Sequence, residues 1–244
     1  MKKANLFVTC IIEAVRPEAG MAVVSVLEKL GWQAQFDPAQ TCCGQPAYNG
    51  GAWDEARAMA RHTLDVLARS EGPIIVPSGS CADMIVHHYP ELFAGDAKYG
   101  PLAESIGQRT FEFAQFLADE IGMDEVRTRL HPQFSGAVTY HPSCHLLRGM
   151  KIDQQPRKLL ALADKAEFAE MPNANECCGF GGLFAIKMSE VSGAMLARKL
   201  DNIAQTQAQT VVGCDVSCLL NISGGLHRRG AACETKHLAE ILDS

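Results

Sequence analysis

Two adjacent cysteines followed by a glycine occur twice in this chain of 244 residues, and no other feature constrains its fold as strongly. The first copy is TCCGQ, which starts at Thr41, and the second is ECCGF, which starts at Glu176. Neighbouring cysteines lie too close for an unstrained disulfide, so each pair is expected to stay as two thiols. The repetition predicts a chain built from two related halves.

Four further cysteines repeat together with these pairs. Cys10 precedes the first pair by 31 intervening residues, and Cys144 precedes the second pair by 32. Cys81 follows the first pair after 37 residues, and Cys218 follows the second after 39. This doubled order argues against inert burial of all eight thiols. The candidate metal and cofactor ligands are therefore Cys10, Cys42, Cys43, Cys81, Cys144, Cys177, Cys178 and Cys218.

The segments between the cysteines alternate between strand and helix patterns in both halves. In the first half the patterns predict strands over 5–9, 32–36 and 73–77, helices over 17–30 and 52–69, and a closing helix over RTFEFAQFLADEI. In the second half they predict strands over 136–141, 166–171 and TVVGC, helices over 156–163 and 189–207, and an equivalent closing segment, ETKHLAEIL.

This alternation predicts an α/β fold of two pseudo-repeat half-domains, each a small, mainly parallel sheet flanked by helices. The predicted domains are residues 1–128 and 129–244, joined by a connection over 122–135. Every motif cysteine follows a predicted strand, and ligands of parallel sheets bind beyond the carboxyl ends of the strands. We therefore expect a metal site of four thiols at that end of each sheet.

A set of four thiols suits either a tetrahedral zinc ion or an iron–sulfur cluster. The chain contains no C-x-x-C knuckle of the kind that wraps zinc. The glycine after each cysteine pair lets the backbone approach closely and donate N–H groups to sulfides. These features favour a cluster, with zinc in one half as the alternative.

Composition excludes several other classes of protein. A net charge of −6 and a pI near 5.7 argue against a nucleic-acid partner. No apolar run reaches the roughly 20 residues of a transmembrane segment. The apolar run near the N-terminus is interrupted at Glu13 and lacks a cleavage site, so we predict no signal peptide. A cytoplasmic location follows, where thiols stay reduced.

The motifs C-x31-CCG-x37-C and C-x32-CCG-x39-C resemble the duplicated cysteine-rich CCG domain. That domain occurs in heterodisulfide reductase and in the iron–sulfur subunits of glycolate oxidase and anaerobic glycerol-3-phosphate dehydrogenase. The last two carry ferredoxin-like cysteine runs, which are absent from this sequence. A stand-alone pair of this length, with SGSCADMI, DVSCLLNI and HLAEIL, most resembles the lactate utilization protein A family, over essentially the whole chain.

This resemblance implies an iron–sulfur electron-transfer subunit of a complex that oxidises L-lactate, a 2-hydroxy acid, to pyruvate. It implies [4Fe–4S] clusters, one per half, held by the eight cysteines. It also implies two partners, a ferredoxin-like iron–sulfur subunit and a third small subunit. No residue is assigned a catalytic role. The alternatives are a heterodisulfide-reductase-like thiol–disulfide redox subunit and a zinc-bound assembly scaffold without enzymatic activity.

One departure from the heterodisulfide reductase pattern bears on the cluster type. That version ends each motif with C-x-x-C, whereas Ser78 and Asp215 occupy the first of those positions here. Four thiols per half favour a [4Fe–4S] cluster over the larger non-cubane type, and they count against disulfide cleavage. Cys214 lies one residue too early and is expected to be a buried cysteine, with a fifth-ligand role as the alternative. Cys233 is expected in the core.

Other polar residues near the cysteines have simple structural interpretations. His141 and His145 flank Cys144 and are expected to hydrogen-bond to the backbone or to sulfur rather than to bind metal. Arg148 and Lys187 are expected at the solvated surface, although either would attract a carboxylate substrate.

Overall fold

The computed structural model describes residues 2–244, in which the strands form two four-stranded sheets. Neighbouring strands run parallel throughout both sheets. The first sheet contains β1 (Lys2–Leu6), β2 (Trp32–Gln35), β3 (Ile74–Val76) and β4 (Thr110–Glu112). The second contains β5 (Ser135–His141), β6 (Lys165–Phe168), β7 (Thr210–Gly213) and β8 (Glu234–His237). The predicted α/β fold with two half-domains is confirmed.

Helices connect the strands in both halves. Those of the first half are α1 (Cys10–Val15), α2 (Pro17–Lys29), α3 (Gln45–Asn49), α4 (Trp53–Leu67), α5 (Gly79–Asp83), α6 (Tyr89–Leu92), α7 (Tyr99–Gln108), α8 (Phe113–Gln115) and α9 (Met123–Arg129). Those of the second half are α10 (Gln154–Leu160), α11 (Leu183–Lys187), α12 (Ser189–Gln205), α13 (Val216–Arg228) and α14 (Leu238–Leu242). Three segments are π-helical, namely Met84–His88, Phe116–Gly122 and His145–Gly149. Within residues 2–244, every helix is too short or too polar to cross a membrane.

The long helix that follows each CCG motif forms because its apolar residues recur with helical spacing. On α4 the buried residues include Ala56, Ala60 and Leu64, and on α12 they include Leu196 and Leu200. Each set lies on one face and packs into the core of its own half. The two helices therefore hold equivalent places beside the two sheets.

The two sheets share one topology. Their strand orders are β2-β1-β3-β4 and β6-β5-β7-β8. The central pair aligns Leu6 with Ile75 in the first sheet, and Tyr140 with Val212 in the second. Between these central strands the order along the chain reverses, and such a reversal opens a crevice at the carboxyl ends of the strands. The motif cysteines follow these ends.

The structure corrects the strand predictions in two respects. The first strand is Lys2–Leu6 rather than 5–9, and each closing segment begins with a strand instead of being helical throughout. These edge strands, β4 and β8, have three and four residues, which is too short for a period-2 pattern to be read from the sequence. The predicted equivalence of the two closing segments still holds, since both are a strand followed by a short helix.

The halves pack against each other through a shared hydrophobic core. This core combines Leu6, Leu27 and Phe113 of the first half with Tyr140 and Leu238 of the second. The contacts are reciprocal, because α2 packs on the closing helix α14 while α10 packs on the closing helix α8. Separate cores lie within each half.

The predicted boundary between residues 128 and 129 falls in α9, after the first sheet and before the second. We propose to keep this division, since β4 ends at Glu112 and β5 begins at Ser135. Burial of apolar surface from both halves in one core would make the two domains mutually dependent for stability.

Candidate metal centre

The motif cysteines of both halves line a single cleft, open to solvent, with an empty volume of about 810 Å³. Two interhalf contacts bring the two sets together. Helix α1, which follows β1, packs on α13, and α5 packs on the π-helical segment His145–Gly149. The thiols that line this cleft are those of Cys10, Cys42, Cys43, Cys81, Cys144, Cys177, Cys178 and Cys218. The predicted residues are thus brought together, and in one shared cleft rather than two separate ones.

In the first half, a tight turn places the cysteine pair. Gly44 has a φ of 85°, a left-handed conformation that glycine adopts without the penalty of a Cβ. Its backbone N–H donates to the sulfur of Cys42 at 3.5 Å. The sulfur of Cys43 lies 3.4 Å from that of Cys81, the third residue of α5. The hydroxyl of Tyr89 donates to the Cys43 carbonyl at 2.8 Å.

The second half repeats this geometry. Gly179 also has a φ of 85°, and its N–H donates to the sulfur of Cys177 at 3.3 Å. Cys218 is the third residue of α13, as Cys81 is of α5. The carbonyl of Cys178 accepts from the side-chain amide of Asn221 at 2.9 Å, in place of the tyrosine hydroxyl of the first half. In both halves, therefore, the motif glycine forms the turn, and a side chain donates a hydrogen bond to the carbonyl of the second cysteine of the pair.

The second of the four thiols in each set has a lowered pKa. The pKa of Cys42 is lowered to about 2, first by a hydrogen bond with Cys10 and then by one with Cys43. The pKa of Cys177 is likewise lowered to about 2, chiefly by a hydrogen bond with Cys144. Each set thus supplies a thiolate at the position that accepts an N–H bond from the motif glycine, and thiolates are the form that binds metals.

A buried carboxylate joins the two halves at the floor of the cleft. Asp215, which is 2% exposed, accepts hydrogen bonds at 2.8 Å from the hydroxyls of Ser78, Ser80 and Ser143. It also accepts from the backbone N–H of Ser80 at 3.0 Å. Ser78 and Asp215 are the N-cap residues of α5 and α13, so the two equivalent helix starts meet here. Ser78 and Asp215 stand where the heterodisulfide reductase pattern has cysteines. Here the two residues are hydrogen-bonded to each other and so link the two halves.

The two sites differ in the side chains around the thiols. Three residues before the first motif cysteine lies Phe7 in the first half and His141 in the second. Met59 and Met195 pack beside the motif glycines of their halves. Four residues further along, α4 carries Thr63 and α12 carries Lys199. The first site thus has an aromatic ring and a hydroxyl where the second has two basic side chains.

Both of these basic side chains are buried. His141 is 1% exposed, and neither ring nitrogen has a hydrogen-bond partner. A ring nitrogen of His141 and the sulfurs of Cys178 and Cys218 all lie within 4.8 Å of one another. Burial lowers the pKa of His141 to about 3, so the ring is neutral. Lys199 is 0% exposed, and its ammonium donates to the Ala174 carbonyl at 3.0 Å.

The remaining predictions near the site have mixed outcomes. His145 contacts the sulfur of Cys144 at 3.7 Å, which agrees with its predicted bond to sulfur. The same prediction for His141 was wrong, because that ring has no partner. Cys214 is buried beside the Tyr140 hydroxyl, outside the cleft lining, as a buried cysteine would be.

Three further predictions concern residues at the margins of the site. Cys233 was expected in the core and is instead half-buried at the core's edge. Arg148 and Lys187 are solvent-exposed, as predicted.

Sequence reasoning missed several residues that support the site. Lys199 carried a signal, because it lies on the apolar face of α12 between Leu196 and Leu200. Tyr89 and Asn221 carried none, since each lies far along the chain from the carbonyl that it contacts. The role of Asp215 as an acceptor from both halves depends on how the halves pack.

These residues fit a metal or an iron–sulfur group on three structural observations. Four thiols converge in each half, and one of the four, Cys42 or Cys177, has a lowered pKa. The motif glycines bring backbone N–H groups to sulfur. In the second half, His141 is a buried polar side chain without a partner, a kind of group that calls for an explanation such as a bound ion. A metal-binding site is therefore consistent with the donor chemistry.

Comparison with known proteins supports this interpretation at the level of family. The family model described as a CCG cysteine-rich domain matches twice, over residues 4–86 and 138–223. Lactate utilization protein A from Macrococcus caseolyticus is 42% identical over 242 residues, covering 99% of this chain and 96% of the relative. The protein of the same name from Exiguobacterium sp. is 41% identical over 244 residues, covering 100% and 98%.

A third relative gives the same result. Lactate utilization protein A from Geobacillus sp. is 40% identical over 242 residues, covering 99% of both chains. These matches extend over both halves, and the two matched domains include every motif cysteine. The chain therefore belongs to the lactate utilization protein A family and carries the CCG cysteine-rich domain twice.

Proposed function

We propose that this chain is an iron–sulfur electron-transfer subunit of a complex that oxidises L-lactate, a 2-hydroxy acid, to pyruvate. The name of the relatives points to lactate. The observation that carries the proposal is that two equivalent sets of four thiols open into one cleft. Two redox groups held in one cleft would lie close enough to exchange electrons.

The eight motif cysteines would hold one [4Fe–4S] cluster in each half. Such clusters take up and release single electrons when bound. The chain's own part is to supply ligands and to tune them. The N–H groups of Gly44 and Gly179 donate to ligand sulfur, and hydrogen bonds of this kind set the potential of a cluster.

Within the complex, the subunit's role in the oxidoreductase reaction is electron transfer. Removal of two electrons and two protons from lactate needs a group that accepts them, and we assign further carriers to a ferredoxin-like iron–sulfur subunit and a third small subunit. We place the protein in the cytoplasm, where a reducing environment keeps ten cysteines as thiols.

Iron and acid-labile sulfide, measured on protein purified without oxygen, test the proposal. Two four-cysteine sites predict about eight iron atoms and about eight sulfides per chain. A Cys214→Ser variant is the matched control, since this buried cysteine lies outside the cleft lining and its loss should leave both contents unchanged. Zinc without sulfide would overturn the electron-transfer function and support an assembly scaffold.

A zinc ion in the second half is a second candidate, favoured by one observation. The nitrogen of His141 lies within 4.8 Å of the sulfurs of Cys178 and Cys218, and a mixed nitrogen and sulfur set suits zinc. The same analysis separates the two candidates, because this arrangement predicts about four iron atoms, about four sulfides and about one zinc per chain.

A further inference from the structure

The two thiol sets differ in the buried charge beside them, although their backbones are equivalent. Lys199 is fully buried, and its ammonium contacts the carbonyl of Ala174 at 3.0 Å, that of Asn173 at 3.4 Å and the sulfur of Met171 at 3.6 Å. Its equivalent in the first half is Thr63, which is also buried but has no charge. A lysine is rarely buried without a compensating charge, so this one needs an explanation.

Glu176 and the second thiol set together supply negative charge near this lysine. Burial lowers the pKa of Lys199, while negative charge on Glu176, and then on Cys178, Cys177 and Cys218, raises it. Glu176 is itself shared with Arg198 and Asn202. A group bound through four thiolates would therefore favour the charged form of Lys199.

His141 is a second side chain that makes the surroundings of the two thiol sets differ. It lies beside Cys178 and Cys218, where a neutral imidazole offers one N–H donor. Its equivalent in the first half, Phe7, belongs to the same hydrophobic cluster as Cys43 and Cys81 and has no donor. A cation and an N–H donor near a cluster both stabilise the added negative charge of the reduced state, which raises the reduction potential.

From Lys2 onward, the described part of the first half contains no buried lysine or arginine comparable to Lys199. Asp83, a buried carboxylate two residues after Cys81, bonds to His87 at 2.8 Å, with His88 at 3.7 Å. His88 also bonds to Glu91 at 2.8 Å. These two histidines are matched by two carboxylates, so they add no excess of positive charge beside the first site.

We propose that the second half holds the group of higher reduction potential, so that electrons within this subunit pass from the first site to the second. The inference rests on the proposed function, since it requires a redox group in both halves. In this step the group at the first site is oxidised by one electron and the group at the second site is reduced by one. No bond or proton is exchanged. Lys199 acts here as a residue that tunes the potential and not as a ligand.

A redox titration followed by electron paramagnetic resonance tests this order on the full chain, purified without oxygen. Wild-type protein should show two midpoint potentials. The more positive one should survive in Cys42→Ser, which disables the first site, and be lost in Cys177→Ser. A single shared midpoint, or the opposite assignment, would overturn the inference.

Two variants then test its cause. Lys199→Met keeps the length of the buried side chain and should shift only the more positive midpoint, to a more negative value, with iron and sulfide retained. His141→Phe installs the first-half residue and should shift the same midpoint in the same direction by less. This second variant also provides the test if Lys199→Met does not fold. Thr63→Val, at the equivalent position of the first half, is the control and should leave the more positive midpoint unmoved.

The outcomes separate the two proposals. Full iron and sulfide with an unmoved midpoint in both variants would overturn the roles of Lys199 and His141 in setting the potential and leave the electron-transfer function intact. A purely structural lysine would lower stability without moving a potential. Absence of sulfide from the wild-type protein would overturn the proposed function, and this inference with it.

Discussion

The two halves of the molecule are alike where the backbone must place thiols and unlike where side chains surround them. Gly44 and Gly179 have the same φ of 85°, and each N–H donates to the first sulfur of its pair. Around the thiols, Phe7 is matched by His141 and Thr63 by Lys199. The placement of the thiols depends on backbone geometry, which tolerates little change, whereas the surrounding charge can change without moving a thiol. The two halves thus share one thiol geometry and differ in their electrostatic environments.

Among the changes considered, replacement of a single motif cysteine, in either half, should have the largest effect, a loss of bound metal. We expect Cys42→Ser and Cys177→Ser each to lose about half of the bound metal, because each removes the thiolate of one set. Both variants should stay folded, since the shared core lies elsewhere. Metal analysis and circular dichroism check this expectation. Full metal content in both variants would show that the ligand assignment is wrong.

The bridge between the halves should be the next most sensitive feature. Asp215→Ala removes the acceptor of four serine hydroxyls, three of them at 2.8 Å, and we expect a loss of about 3 kcal/mol in the free energy of unfolding. Ser78→Ala, at the equivalent position, removes one donor and should cost about 1 kcal/mol. Urea denaturation measures both. Equal losses would mean that the carboxylate does not act as the common acceptor.

The closing helices should give the halves opposite pH dependence. Glu112 and His237 are the buried N-cap residues of α8 and α14. Burial raises the pKa of Glu112 from 4.5 to about 8, and lowers that of His237 from 6.5 to about 4. Folded Glu112 keeps a proton that the unfolded chain releases, so its contribution to stability falls as pH rises from 4.5 to 8. Folded His237 lacks a proton that the unfolded chain binds, so its contribution falls as pH drops from 6.5 to 4.

Single substitutions should separate these two contributions. Relative to wild type, Glu112→Gln should gain stability between pH 6.5 and pH 8, by up to about 1.4 kcal/mol per pH unit. His237→Asn keeps a helix-capping side chain and should gain stability only below pH 6.5. Denaturation curves recorded across this pH range give the result. Parallel pH profiles for both variants and the wild type would contradict it.

Replacement of the motif glycines should give the smallest of these differences between the halves, a difference in melting temperature. Alanine at either position must adopt a left-handed conformation, which costs about 1 kcal/mol. A Cβ at Gly179 would also lie 2.6 Å from the Ser192 carbonyl oxygen, whereas one at Gly44 would meet no atom nearer than 3.2 Å. We therefore expect Gly179→Ala to lower the melting temperature more than Gly44→Ala. The reverse order would mean that α12 moves aside more readily than α4.

Much of the fold could be predicted because its signals are local or repeated. Four cysteines in the same order in both halves indicated the duplication, and helical spacing on α4 and α12 indicated the long helices. The short strands β4 and β8 were missed, since three or four residues at a sheet edge carry too little periodicity. The His141 prediction failed because sequence cannot show that a ring lies buried without a partner.

The sequence by itself determined the set of eight thiols and their division into two groups of four, because cysteine spacing and the strands before each cysteine are properties of the chain. Only the tertiary structure decided that both groups open into one cleft, that Asp215 joins them, and that Lys199 lies buried beside one group alone. The burial of Lys199 depends on packing within the second half, whereas the shared cleft and the Asp215 bridge depend on how the halves pack through their shared core. Contacts of that kind join residues more than 100 positions apart, which no local pattern specifies.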